Sequence, residues 1–238
     1  FAINNIQYMN IIKSPNDKNE YLIFELQNKL KVFLEHNSTI ESSCVMMIVN
    51  VGYMLDEHNG LAHFLEHMLF NGTSKYPEEK FFSEFIIKNG GHTNAFTTHE
   101  NTCYYYTINS EVLEKSLEIF SNFFISPLLK KETIDREREA VNSEHQKNIN
   151  DDGWRHQNIL KKAMNVNNKY NKFSTGSNET LNIKHIEKKV RKLFEEYYSS
   201  DLMTLFVITP NKLKNIKDTN KVSEVVYKYA HIFFRFQT

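Results

Sequence analysis

This sequence has few cysteines, no net charge and no long apolar run, and each of these properties excludes a class of protein. Only two cysteines occur, Cys44 and Cys103, so a disulfide framework is excluded and cytosolic thiols are the simplest interpretation. The 29 basic and 29 acidic side chains cancel, which argues against nucleic acid as a partner because no broad basic field can form. No apolar run approaches the roughly 18 residues that a bilayer requires, so a membrane is not expected as a partner either.

The start of the chain carries no visible targeting signal. Residues 1–25 lack the basic start followed by an apolar core that marks a secretory signal. The cytoplasm is therefore the expected compartment, although an organellar or secreted location stays open. Because the chain begins with Phe1 rather than Met, we expect a processed form or a fragment of a longer chain.

Hydrophobic periodicity predicts strands interleaved with helices. The 238 residues are 40% hydrophobic and 24% charged, which is near the globular average and ample for a buried core. Apolar alternation and short apolar runs predict strands at 21–26, 30–34, 44–52, 93–98, 102–108 and 202–208. Helical spacing with Gly and Pro stop signals predicts helices at 61–70, 77–87, 111–125, 131–149, from Trp154, at 180–198 and at 222–229. We expect an α+β fold, with a mostly antiparallel β-sheet packed against several α-helices.

The predicted helix at 61–70 carries the pattern H-x-x-E-H, whose side chains are candidates for metal binding and catalysis. His63 and His67 are four residues apart, which places both side chains on one face with Cβ atoms about 5–6 Å apart. Two imidazoles in that arrangement can bind one Zn²⁺, and Glu66 lies beside them as a candidate base for a water molecule. A pair of surface histidines with a neighbouring glutamate is the simpler alternative to a metal site.

A hydrolytic zinc site needs a third protein ligand from another part of the fold. The predicted helix at 131–149 offers several acidic side chains: Glu132, Asp135, Glu137, Glu139 and Glu144. Glu137 and Glu144 are seven residues apart and therefore share one face of the helix. One could bind the metal while the other accepts the N–H of a ligating histidine, and spacing alone does not decide which. A solvated charged face is the alternative interpretation.

Four blocks of sequence, in order, resemble the insulysin-like branch of the M16 metallopeptidases, whose inverted zinc motif is H-x-x-E-H. They are GLAHFLEHMLFNGTSKYP at 60–77, GHTNAFT at 91–97, DREREAVNSEH at 135–145 and FSTGSN at 173–178. The resemblance covers residues 11–208 and is nearest to the N-terminal catalytic domain of such enzymes. It implies the M16/LuxS-like metallohydrolase fold and a zinc metallopeptidase acting on small peptides.

The resemblance also implies roles for individual residues. One Zn²⁺ per chain would be bound by His63, His67 and Glu144, with Glu66 as the catalytic base. Glu137 matches the family's glutamate that supports a ligating histidine.

Substrate contacts follow from the same resemblance. Asn94, Ala95, Phe96 and Thr97 match an edge strand that binds a peptide substrate in extended conformation by strand addition. Phe70 would line the pocket for the side chain next to the cleaved bond, although a core aromatic is an equally simple interpretation.

The extent of the chain leaves alternatives open. Insulysin-like enzymes have four related domains in two halves that close around the substrate, and residues 1–238 match only the first domain. We therefore expect a single N-terminal zinc-binding catalytic domain whose partner is the C-terminal half of the same enzyme, without which activity would be low. One alternative is the catalytic subunit of a heterodimer like the mitochondrial processing peptidase. Another is a non-catalytic M16-like binding or assembly module.

Overall fold

A computed structural model describes residues 7–8 and 11–212, and strands in this part of the chain form one mixed sheet. The strands at 20–25, 31–36, 42–49 and 203–209 alternate buried with half-buried or exposed side chains, so that one face of the sheet supports the core. The strands are β1 (Gln7–Tyr8), β2 (Glu20–Glu25), β3 (Lys31–His36), β4 (Ser42–Val49), β5 (His92–Thr97), β6 (Thr102–Asn109) and β7 (Met203–Thr209).

The strand order in the sheet is β1-β2-β3-β7-β4-β6-β5. All neighbouring pairs among the described strands are antiparallel except β3 and β7, which are parallel. A long excursion through the helices separates β3 from β7, as a parallel connection requires. The predicted α+β fold with a mostly antiparallel sheet is therefore confirmed, and β5 lies at an edge of the sheet.

The helices of the described residues follow the predicted pattern closely. They are α1 (Leu61–Leu69), α2 (Phe81–Lys88), α3 (Leu113–Ile125), α4 (Lys131–Ile149), α5 (Asp152–Ala163), α6 (Asn178–Leu181) and α7 (Ile186–Tyr197). None of these helices combines the length and apolar character needed to cross a membrane.

Two helix predictions need correction. Helix α2 begins at Phe81 rather than at Pro77, because Lys80 adopts a left-handed conformation with φ of 62° that interrupts the helical backbone. The single helix predicted at 180–198 is two helices, α6 and α7, because His185 has φ of 58° and breaks the path between them. The helix predicted at 222–229 lies outside the described residues.

Aromatic side chains fill the layer between the sheet and the helices. Phe82 of α2 packs edge-on against Tyr106 of β6 at 5.4 Å between ring centroids. Buried hydroxyls are satisfied, since Tyr106 pairs with Ser116 at 2.9 Å and Tyr104 pairs with Tyr198 at 2.7 Å. This core fixes α1 and β5 relative to each other.

Close backbone approach fixes the start of α1. The carboxylate of Asp56 accepts the backbone N–H groups of Gly60 at 3.0 Å and Ala62 at 2.9 Å. Gly60 has φ of 88°, and a Cβ there would lie 2.3 Å from the Cα of Gly176. The loop that contains Gly176 therefore lies directly against the first turn of α1, which carries the histidines.

Candidate metal centre

His63 and His67 lie on the one face of α1 that is not packed into the core. The ring centroids are 4.8 Å apart and the rings are nearly perpendicular. Their side chains are 12% and 24% exposed. The opposite face of the helix buries Phe64, Leu65 and Met68 completely. Core packing therefore determines which way the imidazoles point.

Glu144 of α4 meets both histidines. Its Oε2 lies 3.4 Å from Nε2 of His63 and 3.7 Å from Nε2 of His67. The candidate ligand atoms of these three residues all lie within 4.8 Å of one another. Two helices that are separated by more than 60 residues of chain thus bring three donor atoms to one point.

The three donors fit a divalent metal ion. Two ligand atoms bound at 2.0–2.1 Å in tetrahedral geometry lie roughly 3.3–3.4 Å apart, close to the two separations from Glu144. Two imidazoles and one carboxylate are also the ligand types found in hydrolytic zinc sites. The set leaves a fourth position for a water molecule or substrate.

The other ring nitrogens of the histidines are held in place. Nδ1 of His63 lies 2.7 Å from the carbonyl oxygen of Thr175, to which it can donate a proton. Nδ1 of His67 lies 3.7 Å from Oε2 of Glu137, and Arg136 pairs with the same carboxylate at 3.1 Å. Both contacts leave Nε2 free to face Glu144, as outer contacts of metal ligands commonly do.

Electrostatics around His67 reflect its carboxylate neighbours. Burial alone would lower the pKa of His67, but the neighbouring carboxylates of Glu137 and Glu144 raise it to about 9. His67 in turn lowers the pKa of Glu144 below its ordinary value. Burial opposes ionisation of Glu137, yet His67 and Arg136 keep its pKa low.

Glu66 is buried beside the donor cluster. Its side chain is held by the hydroxyl of Thr97, which donates to Oε2 at 2.5 Å. Burial raises the pKa of the Glu66 carboxyl, while the nearby His63 opposes the increase. The raised pKa means that burial makes ionisation of this carboxyl less favourable than in water.

The segment 94–97 lies on the edge strand β5, next to Glu66 and His67 of α1. Asn94 and Phe96 are exposed, Phe96 by 44%. The Ala95 N–H donates to Oδ1 of Asn94 at 2.9 Å. The Thr97 hydroxyl donates to Glu66, so this side chain of β5 points towards α1.

Phe70 is both a core aromatic and a residue that lines a cavity, which are the two roles that the sequence allowed. Its ring packs edge-on against Phe123 at 5.2 Å and lies 6.2 Å from Tyr104, as a core aromatic does. It also lines a cavity of about 330 Å³ next to Glu66 and His67. One face of the ring therefore stabilises the core while the ring also borders the cavity.

Two supporting contacts were not predicted from the sequence. The Thr175 carbonyl orients His63, and the Thr97 hydroxyl positions Glu66. The block at 173–178 was part of the family resemblance, but no role could be read from it. A backbone carbonyl leaves no residue-type signal, whereas Gly176 next to Thr175 was a signal for close backbone approach.

Fold and site together define a metallopeptidase-type domain with the inverted H-x-x-E-H motif. Residues 31–167 match the profile of Insulinase (Peptidase family M16), which is more than half of the chain. The chain belongs to the insulinase family, peptidase family M16.

Similarity to known proteins, in sequence and in structure, supports this assignment. The chain is 40% identical over 210 residues to an insulin-degrading enzyme homolog from Dictyostelium discoideum, covering 87% of this chain and 22% of that protein. It is 40% identical to the insulin-degrading enzyme of Homo sapiens over 87% of this chain and 21% of that protein. The crystal structure of pitrilysin superimposes with a TM-score of 0.88 and 29% identity, covering 98% of this chain and 25% of that one. The chain thus spans about a fifth of the length of these curated relatives.

Proposed function

We propose that this chain is a zinc-binding catalytic domain that hydrolyses peptide bonds of small peptides. One observation carries the proposal: Glu144 of α4 meets His63 and His67 of α1 at 3.4 and 3.7 Å, with the carboxyl of Glu66 buried beside them. Surface histidines with no ligand role would not require a carboxylate from a distant helix between their Nε2 atoms.

Three side chains would hold the ion, and a fourth would move the proton. Zinc supplies Lewis-acid chemistry, because it lowers the pKa of water to about 7 and polarises a carbonyl group. His63, His67 and Glu144 would be its ligands, and Glu137 would keep the ring of His67 in orientation at 3.7 Å. Glu66 would accept a proton from the attacking water and later donate it to the leaving amine.

The surroundings of Glu66 suit that role. Thr97 fixes one carboxylate oxygen through its hydroxyl at 2.5 Å, which leaves the other oxygen for the proton. Because the side chain is only 6% exposed, bulk water does not compete for the carboxylate. Thr97 therefore acts as a positioning residue in this proposal.

An extended peptide would bind along β5. An edge strand presents unpaired backbone groups, and a peptide can pair with them as an added strand. Asn94, Ala95 and Phe96 would supply this pairing next to the metal centre. The peptide would then cross the centre with its backbone carbonyl near Glu66, while Phe70 borders the cavity for an adjacent side chain.

The limited span of the chain bears on its activity. Relatives continue well beyond the matched part, so we propose that residues 1–238 form one N-terminal domain that needs a C-terminal half for full activity. The cytoplasm remains the proposed compartment; one relative from Arabidopsis thaliana has "peroxisomal" in its name. A non-catalytic M16-like binding or assembly module is the alternative function.

The substitution Glu66→Gln tests the proposal. The variant should bind one zinc per chain, as measured by metal analysis, but lose hydrolysis of a quenched peptide by at least about 100-fold, the usual range for a general base. A chelator should abolish hydrolysis by the unsubstituted chain. Glu84→Gln, an exposed carboxylate on α2, is the matched control and should change neither property.

Each result separates the alternatives. Chelator-sensitive hydrolysis that persists in Glu66→Gln would contradict the role of Glu66. A zinc-loaded chain that hydrolyses no peptide, alone or with the C-terminal half supplied, would favour the binding module. A chain that takes up no zinc would contradict the metal site itself.

A further inference from the structure

The cavity of about 330 Å³ beside the metal centre has a lysine on its wall. It lies between the end of α1, the start of α2 and strand β5, and Phe70 and Asn94 are among its lining residues. Lys80 and Ser83 line the side formed by α2. Since the cavity also borders Glu66 and His67, a side chain that occupies it belongs to a peptide residue close to the cleaved bond.

Two acidic side chains line the cavity, and both have other partners: Glu66 accepts from the hydroxyl of Thr97 at 2.5 Å, and Glu137 contacts basic groups. Glu137 pairs with Arg136 at 3.1 Å and approaches His67 at 3.7 Å. Arg136 also binds Glu79 at 2.7 Å, and neither Glu79 nor Glu137 pairs with Lys80. Within residues 11–212, Lys80 makes no ion pair or side-chain hydrogen bond.

Local backbone structure fixes where Lys80 projects. With φ of 62°, Lys80 ends the preceding turn, and its carbonyl accepts the N–H of Glu84 in the first turn of α2 at 2.9 Å. The turn is also held by Lys130, the residue before α4, which donates to the Pro77 carbonyl at 3.0 Å. A lysine in this left-handed conformation is uncommon, since Gly or Asn adopts it at lower cost.

We propose that Lys80 is a specificity-determining residue that favours an acidic peptide side chain next to the cleaved bond. The proposal rests on the proposed function, because it requires a peptide in the cleft. The methylene groups of a bound glutamate would pack on Phe70, and its carboxylate would meet the ammonium of Lys80 and the hydroxyl of Ser83. A lysine or arginine in the same position would face Lys80 and be disfavoured.

The magnitude should be modest, because Lys80 is exposed and its charge is screened by solvent. We expect about a threefold to fivefold preference for glutamate over glutamine, the range of a solvent-accessible ion pair. The preference should decrease as salt is added.

Two pairs of quenched peptides test this inference. One pair carries Glu or Gln directly before the cleaved bond, and the other carries Glu or Gln directly after it. The kcat/KM ratio for Glu over Gln is measured for the zinc-loaded chain and for Lys80→Gln and Lys80→Glu. Peptide affinity is measured in parallel by fluorescence anisotropy with the Glu66→Gln background, in which no cleavage is expected.

One pair should show the preference in the unsubstituted chain, Lys80→Gln should abolish it, and Lys80→Glu should reverse it. Lys88→Glu is the matched control, because this exposed lysine lies at the other end of α2, about 12 Å along the helix, and should leave the ratio unchanged. Lys80→Asn is a second variant that removes the charge but tolerates the left-handed backbone, so loss of preference there is not a folding effect.

Equal ratios in the unsubstituted chain and in Lys80→Glu, by hydrolysis or by affinity, would overturn the inference. Zinc-dependent hydrolysis of both peptides without any charge preference would leave the proposed function standing. Failure of every peptide to bind or be hydrolysed would count against the proposed function as well as against the role of Lys80.

Discussion

Two clusters of charged side chains in this molecule use carboxylates in different ways. The imidazole cluster joins α1 to α4, and the lysine cluster joins the turn before α2 to α3. Members of the imidazole cluster are His63, His67, Glu137 and Glu144. Members of the lysine cluster are Lys75, Tyr76, Lys115 and Glu118.

The two clusters differ in whether their basic side chains can release a proton at neutral pH. An imidazole that gives up its proton offers a lone pair to a metal, whereas an ammonium group keeps its proton at neutral pH and offers none. The carboxylates raise the pKa of His67 to about 9, and the lysines lower the pKa of Glu118 to about 2. Both clusters pair carboxylates with basic groups, but only the imidazole cluster can exchange a proton for a metal ion. A cluster of paired charges alone therefore does not identify a functional site.

Replacing Glu144, the proposed ligand that approaches both histidines, should have the largest effect on zinc affinity. In Glu144→Gln, the neutral amide is a poor zinc ligand, so zinc affinity should decrease by more than about 100-fold, beyond the range for an outer contact. Competition with a chromogenic chelator measures the affinity. Circular dichroism of the metal-free protein should show the fold unchanged.

Asp135→Asn is the control, since this carboxylate lies on the same helix but is 85% exposed and pairs with Arg138 at 3.0 Å. It should bind zinc as the unsubstituted chain does. Equal zinc affinity for Glu144→Gln and Asp135→Asn would remove the distinction between the two clusters.

Weakening the contact between Glu137 and His67 should have a smaller effect on zinc affinity. Glu137→Gln keeps the shape of the side chain but removes the charge that holds Nδ1 of His67 at 3.7 Å. Zinc affinity should fall by roughly 10-fold, because outer contacts orient a ligand without binding the metal. The same chelator competition measures it, and a loss as large as that of Glu144→Gln would mean that Glu137 is the ligand.

Sequence reasoning could predict the imidazole cluster because helical spacing and residue type both point to it. The positions of His63 and His67 follow from a period of 3.6 residues, and Glu137 and Glu144 follow from the same period on α4. Spacing did not decide between the two glutamates. Family resemblance favoured Glu144, and in the structure the Oε2 of Glu144 is the one near both Nε2 atoms.

Other features depend on tertiary context and escaped prediction. The left-handed residues Lys80 and His185 interrupt predicted helices, although lysine and histidine carry no strong turn signal. The contact from the Thr175 carbonyl to His63 depends on a loop that is 112 residues away in sequence. Periodicity reports on one element at a time, so contacts between distant elements lie beyond it.

The smallest expected effect concerns the lysine cluster. Glu118 accepts from Lys115 at 2.9 Å and from the Tyr76 hydroxyl at 3.0 Å, so Glu118→Gln should lower the free energy of unfolding by about 0.5–1 kcal/mol at pH 7. The pKa of Glu118 is lowered in the folded state, first by Lys75, to about 2. The stabilisation is therefore present above the unfolded value near 4.5 and is lost as the pH falls towards 2.

Urea denaturation of the metal-free protein at several pH values measures this effect. The difference between the unsubstituted chain and Glu118→Gln should shrink steadily below pH 4.5, while zinc affinity at pH 7 stays the same. Glu41→Gln, an exposed carboxylate before β4, should show no such pH-dependent difference. A change in zinc affinity on Glu118→Gln would mean that the two clusters are coupled through the core between α1 and α3, and that the lysine cluster is not purely structural.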